Sequence, residues 1–440
     1  MSGRYRIIGT GASEIARSVE ARVADGSLPP GAALPPVRAL AEDLGVAPGT
    51  VAAAYKALRD RGVVETGGRR GTRVRARPAT TAHEPVPVPL PAGVRDVSAG
   101  EPDPALLPDP TAALVAAARL RHDYRSPDVR PALAAAARDR LGADGVPADA
   151  LAVVGGALDG VERVLAAHLR PGDVVACEDP GWVRLLDLVG ALGLVVEPVP
   201  VDDEGPLPDG VERALARGAR ALVVTVRAQN PTGAALSPRR GRELRRVLAG
   251  HPEVLLVEDD HAAEVAGADL VTLADAVPVW AHVRSVSKAW GPDLRVAVLA
   301  GDATTVDRVR GRQRLSTGWV SHVLQGAVAG LWGSAEATAS VARARETYAA
   351  RRAGLLAALA GRGLPAHGAS GLNVWVPVAD ETAATSSLLA AGWAAAPGAR
   401  FRTGSGPALR VTVAGLAADD VEPLAAALAA AAAARPGYAV

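Results

Sequence analysis

The sequence Ser285-Val286-Ser287-Lys288, followed by Pro292 and Leu294-Arg295, is the stretch that decides the fold of this chain. It follows a largely apolar run, residues 271–283, and is predicted to lie on a loop. A lysine can form a Schiff base with an aldehyde once its amine has lost its proton. Serine hydroxyls and the two-pronged arginine side chain can hold a phosphate monoester. The same residues also fit a solvated lysine beside a serine-rich turn, so the rest of the chain has to decide between the two interpretations.

Two buried-strand patterns earlier in the chain end in residues that complement this lysine. Residues 254–257 are followed by Glu258-Asp259-Asp260-His261, and a carboxylate at such a strand end can keep a pyridine nitrogen protonated. Residues 221–226 lead into the turn Asn230-Pro231-Thr232-Gly233, from which Asn230 can donate to a phenolate oxygen. Each strand end alone is ordinary. The ordered asparagine, aspartate and lysine together indicate a site for pyridoxal phosphate (PLP).

Two further stretches add to this site. A strand predicted over residues 153–157 runs into Gly155-Gly156-Ala157-Leu158 and then into a helix over residues 159–169. Backbone N–H groups in such a turn lie at the positive end of a helix and suit a phosphate. Trp182 follows a strand predicted over residues 174–177 and is a candidate to stack on the pyridine ring, with a packed core tryptophan as the alternative.

These motifs resemble those of the fold-type I aminotransferases, over about residues 94–440. The resemblance implies that PLP is bound as an internal aldimine on Lys288, the catalytic residue. It also implies a partner subunit, in which Tyr124 reaches the phosphate of the bound PLP. It implies that Arg410 binds an α-carboxylate and that Arg184 contacts an effector. The cofactor residues that it assigns are Lys288, Asp259, His261, Asn230, Ser285, Ser287, Arg295, Gly156, Ala157, Leu158, Trp182 and Tyr124.

Two positions depart from the family pattern. His261 stands where a tyrosine usually donates to the cofactor phenolate, and the titration of its imidazole would alter the electronics of the site. Leu158 stands where a polar residue is common in the phosphate-binding turn. Both departures are compatible with cofactor binding, but they lead us to expect at most weak transaminase activity.

The first 75 residues carry a separate pattern. Helices are predicted over residues 12–25, 37–44 and 48–61, followed by a short hairpin with a cationic tip. This order is that of a winged helix-turn-helix, in which the third helix enters the major groove. The pattern resembles the GntR family, although a helical subdomain with solvated arginines is the alternative. The resemblance assigns DNA contacts to Arg38, Pro48, Thr50, Lys56, Arg69 and Arg70.

Bulk properties set the limits of these interpretations. The chain has 440 residues, of which 49% are hydrophobic and only 3% aromatic, and its net charge is +1. Residues 1–75 hold 12 Lys and Arg against 7 Asp and Glu, so this part carries +5 and the remainder −4. A basic amino-terminal part suits a polyanion. A single cysteine excludes an internal disulfide, no metal site is predicted, and the lack of a long apolar run predicts a cytoplasmic protein.

The predicted organisation is a DNA-binding domain over residues 1–75, a proline-rich linker over residues 76–93 and a PLP-binding domain over residues 94–440. The fold class is α/β, with a large domain built on a mostly parallel sheet and a smaller α+β lobe. This architecture resembles the MocR subfamily of GntR regulators. It implies a homodimer that binds operator DNA and senses an amine or amino-acid effector on bound PLP.

Two other functions stay open at this stage. One is a catalytically active aminotransferase with a regulatory DNA-binding head, which would release a keto acid steadily. The other is a plain DNA-binding regulator whose second domain only dimerises, which would hold no PLP.

Overall fold

The computed structural model describes residues 7–24, 27–29, 31–60, 63–66, 71–74 and 90–433. These residues form two compact units, one mainly before Pro85 and one mainly after it. The hairpin tip with Arg69 and Arg70, and most of the predicted linker, lie outside the described residues. No helix in the described part of the chain is long and apolar enough to cross a membrane.

The amino-terminal unit is a small helical bundle with a hairpin, as predicted. Apolar side chains spaced three and four residues apart give its third helix a buried face, on which Val51, Tyr55 and Leu58 are at most 5% exposed. Gly45 adopts a left-handed conformation (φ 64°) and ends the second helix sharply. The elements are α1 (Ala12–Ala24), α2 (Val37–Leu44), α3 (Pro48–Asp60), β1 (Val64–Thr66) and β2 (Thr72–Val74).

An eight-stranded sheet is the centre of the second unit. Its strands are β4 (Ala150–Val154), β5 (Val174–Asp179), β6 (Val195–Asp202), β7 (Gly205–Pro206), β8 (Ala219–Thr225), β9 (Leu255–Asp260), β10 (Val279–Ser285) and β11 (Ala297–Gly301). Their order across the sheet is β4-β11-β10-β9-β8-β5-β6-β7. Strand β9 runs parallel to β8 and β10, whereas β11 is antiparallel to both β10 and β4. The sheet is therefore mixed, with parallel strands at the positions that carry the candidate site.

Helices surround this sheet and continue into the rest of the unit. The helices are α4 (Thr111–Ala118), α5 (Pro131–Ala143), α6 (Ala157–His168), α7 (Val183–Ala191), α8 (Pro208–Ala216), α9 (Pro238–Ala249), α10 (Ser287–Trp290), α11 (Ala303–Arg314), α12 (His322–Gly333) and α13 (Ala335–Ala360). The longest is α13, with 26 residues.

Two local predictions were wrong. Lys288 does not lie on a loop, because β10 passes almost directly into α10, a single helical turn that contains the lysine. The strand expected over residues 153–157 begins earlier and ends at Val154, since Gly156 takes a positive φ of 113° that a strand does not allow. Both differences place the site residues at the junctions between strands and helices.

The smaller lobe is an α+β layer. Its elements are β3 (Arg95–Asp96), β12 (Asn373–Pro377), α14 (Glu381–Ala390), β13 (Trp393–Ala394), β14 (Ala396–Pro397), β15 (Ala408–Thr412) and α15 (Val421–Ala433). A three-stranded sheet of order β12-β15-β14 packs its apolar face against α14, α15 and the end of α13. The central strand β15 carries Arg410, opposite Trp375 on one neighbour and Ala396 on the other.

Candidate cofactor and effector site

The candidate site lies where β8, β9 and β10 end. Parallel strands present their carboxyl ends at one edge of a sheet, where ligands of α/β proteins are usually bound. Asp259 is in register with Thr225 of β8 and Val283 of β10, so the chain segments that follow these strands emerge on either side of it. Those segments carry Asn230 and Lys288. Asn230, Asp259 and Lys288, which are far apart in the sequence, thus lie at or just after the ends of neighbouring strands.

The lysine is half-buried and already has an acceptor. Its Nζ donates to the carbonyl oxygen of Gly100 over 2.6 Å. Gly100 has a φ of +70°, and a Cβ at this position would lie 2.9 Å from the guanidinium of Arg410. The segment around Gly100 therefore passes between the lysine and the arginine, which the sequence places 122 residues apart.

Asp259 and His261 leave polar atoms without hydrogen bonds. Asp259 is 3% exposed, and its Oδ1 has no hydrogen-bond partner among the described residues. His261 Nδ1 is likewise buried without a hydrogen bond, 3.5 Å from Asp259 Oδ2. The imidazole stacks on Trp182, with ring centroids 6.3 Å apart and planes 26° apart. Buried polar atoms without partners are costly and rare, so this corner is suited to a ligand that brings a donor.

A second corner has the composition of an anion site. Arg295 Nη2 donates to the Gly155 carbonyl over 2.8 Å, which sets the guanidinium against the turn before α6. A Cβ on Gly156 would lie 2.6 Å from the same nitrogen, and the φ of +113° at this position favours glycine. Ser287 Oγ is buried and has no hydrogen bond within the described part of the chain, and Ser287 N donates to Ser285 Oγ over 3.3 Å. A phosphate would meet a cation, hydroxyls and the start of a helix here.

Arg410 is 6% exposed and is held on several sides. Its Nη1 donates to Asn230 Oδ1 over 3.0 Å, and Nη2 donates to the Ser98 carbonyl. The guanidinium also lies 4.7 Å from the centroid of the Phe401 ring. An arginine fixed in this way presents a fork of known direction to a carboxylate.

The other predicted residues range from buried to fully exposed. Ala157 is buried at the start of α6, and Leu158 is half-buried beside it. Arg184 is exposed in the first turn of α7. Tyr124 is 93% exposed and contacts Trp319 edge to face, with ring centroids 5.7 Å apart.

Four of the predicted DNA-contacting residues lie on α2 and α3 of the amino-terminal unit. Arg38 is exposed in the first turn of α2, Pro48 and Lys56 are exposed on α3, and Thr50 is half-buried near its start. Solvent therefore reaches side chains at the start of the helix that a winged helix-turn-helix inserts into the major groove.

Sequence reasoning missed a buried network on the opposite face of β9. Asp260 is fully buried and accepts two hydrogen bonds from Arg227, at 2.7 and 2.9 Å, and one from Arg284 at 2.7 Å. Burial opposes its ionisation, but Arg284 and Arg227 outweigh this effect and hold its pKa well below the usual range. Its neighbour Glu258 is also buried and contacts His282 Nδ1 at 2.7 Å. The alternation of side chains along a strand, which puts Asp259 on the other face, is the signal that separates these roles.

PLP fits the residues of the site. Its pyridine N–H would supply a donor for Asp259, and its phosphate would supply acceptors for Ser287 and Arg295. Its aldehyde matches the chemistry of Lys288. This fit depends on two observations: Oδ1 of Asp259 has no hydrogen-bond partner among the described residues, and the Arg295 guanidinium lies against Gly156.

Comparison with known proteins agrees with the two units. The family described as bacterial regulatory proteins of the gntR family matches residues 12–74, and the aminotransferase class I and II family matches residues 93–428. The vitamin B6 salvage pathway transcriptional repressor PtsJ of Salmonella typhimurium is 39% identical over 96% of this chain and 98% of its own length. The pyridoxine biosynthesis transcriptional regulator PdxR of Corynebacterium glutamicum is 29% identical over 58% of this chain and 57% of its own.

Among solved structures, an aspartate aminotransferase variant from Thermus thermophilus superposes with a TM-score of 0.68 and 26% identity. It covers 78% of this chain and 97% of its own. A kynurenine aminotransferase from Pyrococcus horikoshii, at 19% identity and a TM-score of 0.71 over 77% of this chain and 91% of its own, has the same fold. The aminotransferase class I and II fold implies PLP as the cofactor. This chain therefore belongs to the MocR subfamily of GntR transcription regulators, PLP-dependent DNA-binding proteins that join a winged helix-turn-helix to an aminotransferase-like domain.

Proposed function

We propose that this regulator senses PLP itself, and that cofactor bound at Lys288 changes the affinity of the winged helix-turn-helix for operator DNA. The observation that carries the proposal is the unsatisfied, buried carboxylate of Asp259 at the strand end beside the lysine. The names of two relatives, a repressor of vitamin B6 salvage and a regulator of pyridoxine biosynthesis, support PLP as the signal.

Each residue of the site has a separate task in this proposal. Bound PLP supplies an aldehyde for covalent capture and an electron-withdrawing ring. Lys288 provides the amine, and Asp259 holds the proton of the pyridine nitrogen. Asn230 and His261 donate towards the phenolate oxygen, and Trp182 covers the ring. The phosphate is bound by the turn Gly156-Ala157-Leu158 and by the residues Ser285, Ser287 and Arg295.

A second ligand is favoured by Arg410. Its guanidinium is buried and fixed by Asn230, so it is prepared to bind a carboxylate. We propose that an amine or amino acid docks here on bound PLP and modifies the response, with Arg184 contributing from the first turn of α7. His261, in place of the usual tyrosine, reduces transamination, so that binding and not turnover is the output.

The working form in this proposal is a homodimer. Four large apolar side chains of the described region are exposed near α4 and at the end of α11, with exposed fractions from 49% to 93%: Val115, Leu120, Tyr124 and Leu315. Apolar surface of this kind is suited to a second copy of the chain. Tyr124 would then reach the phosphate bound by the partner subunit. As a regulator of operator DNA, the protein would act in the cytoplasm.

Turnover and DNA binding separate this function from that of an aminotransferase. The full-length protein would first select its operator from a random-sequence DNA pool. Operator affinity and keto-acid release would then be measured in parallel, with PLP, an amino donor and a keto-acid acceptor. The proposal predicts an operator affinity that depends on PLP and little or no keto acid. Steady multiple turnover with unchanged operator affinity would establish the enzyme instead.

A further inference from the structure

Asp179, the last residue of β5, is a buried carboxylate that joins the eight-stranded sheet to the smaller lobe. Its Oδ1 accepts hydrogen bonds from Thr403 N over 2.8 Å and from Ser405 Oγ over 3.2 Å. Its Oδ2 accepts hydrogen bonds from Gly404 N over 2.9 Å and from Ser405 N over 2.8 Å. Three successive backbone N–H groups thus converge on one carboxylate, an arrangement that binds anions. The loop of residues 401–405 is therefore docked on the end of β5.

The sheet side of this contact is itself held in place. Gln229 Nε2 donates to the carbonyl oxygen of Pro180 over 2.8 Å and to Glu178 Oε2 over 3.2 Å. Gln229 directly precedes Asn230 in the turn that follows β8. The residues on both sides of Asp179 are thus tied to the turn that carries the asparagine, so Asp179 is a fixed anchor for the docked loop.

The docked loop connects the two parts of the candidate site. Gly181 N donates to the carbonyl oxygen of Phe401 over 2.7 Å, which adds a second link between the loop and the sheet. The Phe401 ring centroid lies 4.7 Å from the Arg410 guanidinium and 6.0 Å from the centroid of the Trp375 ring. Trp182 packs against the apolar cluster that contains Phe401 and Trp375. A continuous set of contacts therefore runs from Trp182 through Phe401 to Arg410.

We propose that Asp179 is a positioning residue that couples PLP binding to the binding of a carboxylate at Arg410. The hydrogen bonds from residues 403–405 to Asp179 keep the loop docked. The docked loop holds the Phe401 ring against the Arg410 guanidinium, and it completes the apolar cluster that supports Trp182 over the PLP ring. The inference rests on the proposed PLP and carboxylate sites, and it names the contact through which each ligand affects the other.

The coupling follows from a shift between docked and undocked loop. A carboxylate binds best to a guanidinium that is fixed in direction, so it favours the docked loop, in which Phe401 packs on Arg410. PLP favours the same docked loop, because Trp182 then covers its ring. Each ligand therefore raises the affinity for the other, and the two effects are equal because coupling free energies are reciprocal.

The test is a titration of the full-length protein with PLP, followed by visible absorbance, with and without propionate. Propionate brings a carboxylate for Arg410 but no amine that reacts with PLP, and sodium chloride of equal ionic strength replaces it in the reference titration. In wild type we expect propionate to lower the Kd of PLP by about fivefold or more, as is typical of two coupled sites. In Asp179→Asn, which keeps the size of the side chain but loses its charge and one acceptor oxygen, the two Kd values should be equal.

Asp302→Asn is the matched control. Asp302 also accepts hydrogen bonds from two backbone N–H groups, those of Thr305 and Trp280, each over 3.0 Å, but it lies at the start of α11. Both variants should unfold at a lower temperature than wild type, because each loses backbone hydrogen bonds to a carboxylate. Only Asp179→Asn should lose the effect of propionate on the Kd of PLP, a difference that a purely structural role does not predict.

An undiminished effect of propionate in Asp179→Asn would overturn the inference, and so would a wild type that binds PLP equally well with and without propionate. If Asp179→Asn does not fold, Ser405→Ala provides the second test. It removes the side-chain hydrogen bond to Asp179 and leaves the backbone one, so the effect of propionate should be smaller than in wild type. An equal effect would count against Asp179. Wild type that binds no PLP under any of these conditions would instead refute the proposed function.

Discussion

Asp259 and Asp260 are adjacent in sequence, but substitution of each should produce a different defect. Asp260 is the acceptor at the centre of a buried charge network, whereas Oδ1 of Asp259 accepts no hydrogen bond from any residue that the structure describes and Oδ2 lies 3.5 Å from the His261 imidazole. We therefore predict that Asp260→Asn unfolds at a lower temperature than wild type. Asp259→Asn should keep the stability of the PLP-free protein and lose affinity for PLP.

The magnitudes follow from what each carboxylate contacts. Removing one partner from a buried ion pair costs about 3–5 kcal/mol. For a domain of this size, this corresponds to a fall in Tm of roughly 4–7 °C. A hydrogen bond to a charged group contributes about 1.5–3 kcal/mol, so Asp259→Asn should weaken PLP binding by roughly 10- to 150-fold.

The effect of pH on Asp260 has a definite sign. Ion pairing with Arg284 and Arg227 outweighs burial and lowers the pKa of Asp260 in the folded chain. Its stabilising contribution is therefore complete above the pKa of an unfolded aspartate, about 3.9, and is lost as pH falls towards the folded pKa. The difference in Tm between wild type and Asp260→Asn should accordingly be constant near neutral pH and shrink in acid.

The assay combines thermal unfolding of the PLP-free protein, followed by circular dichroism, with PLP titration of the same samples. Refutation would take one of two forms. Equal stability of Asp260→Asn and wild type would mean that the buried network contributes nothing, and equal PLP affinity of Asp259→Asn and wild type would mean that the pyridine partner is a different residue.

Three further predictions concern the other site residues. Lys288→Ala should lose the visible absorbance of bound PLP, and borohydride treatment should fix PLP covalently to wild type only; a variant that retains both properties would show that another lysine is used. Arg38→Ala should weaken binding to all DNA sequences by loss of a phosphate contact, whereas Thr50→Ala should change sequence preference, and selection of binding sites from a random pool distinguishes the two. Arg410→Ala should abolish the spectral response to carboxylated amines while leaving PLP bound, and Arg184→Ala should lose part of that response. If an amino acid still changes the spectrum of Arg410→Ala as it does that of wild type, Arg410 does not bind the carboxylate.

The architecture could be predicted from the sequence because the patterns that specify its helices and strands lie within short segments of the chain. The periodic apolar faces of the first three helices predicted their bounds to within a few residues. Short apolar runs that end in polar residues predicted the parallel strands β8, which is followed by the turn with Asn230, and β9, which carries Asp259. Lys288 was misplaced on a loop because a helix of one turn is too short to show a helical period.

The buried charge network could not be predicted in the same way. Asp260 was distinguishable from Asp259 by strand alternation, but its partners come from elsewhere in the chain. Arg227 follows β8 and Arg284 lies on β10. No sequence pattern near either arginine predicts that it forms an ion pair with Asp260. The sequence likewise gave no reason to single out Glu178, since its hydrogen bond with Gln229 forms only once β5 and β8 are neighbours in the sheet.

The most direct test of the central claim is the operator affinity of the full-length protein as a function of PLP concentration, in wild type and Lys288→Ala side by side. If PLP bound at Lys288 controls DNA binding, the operator affinity of wild type changes with PLP concentration and levels off at the concentration at which the visible absorbance does. The operator affinity of Lys288→Ala should not change with PLP concentration. An operator affinity that is identical with and without PLP in wild type, while the absorbance shows the site to be filled, would contradict the claim.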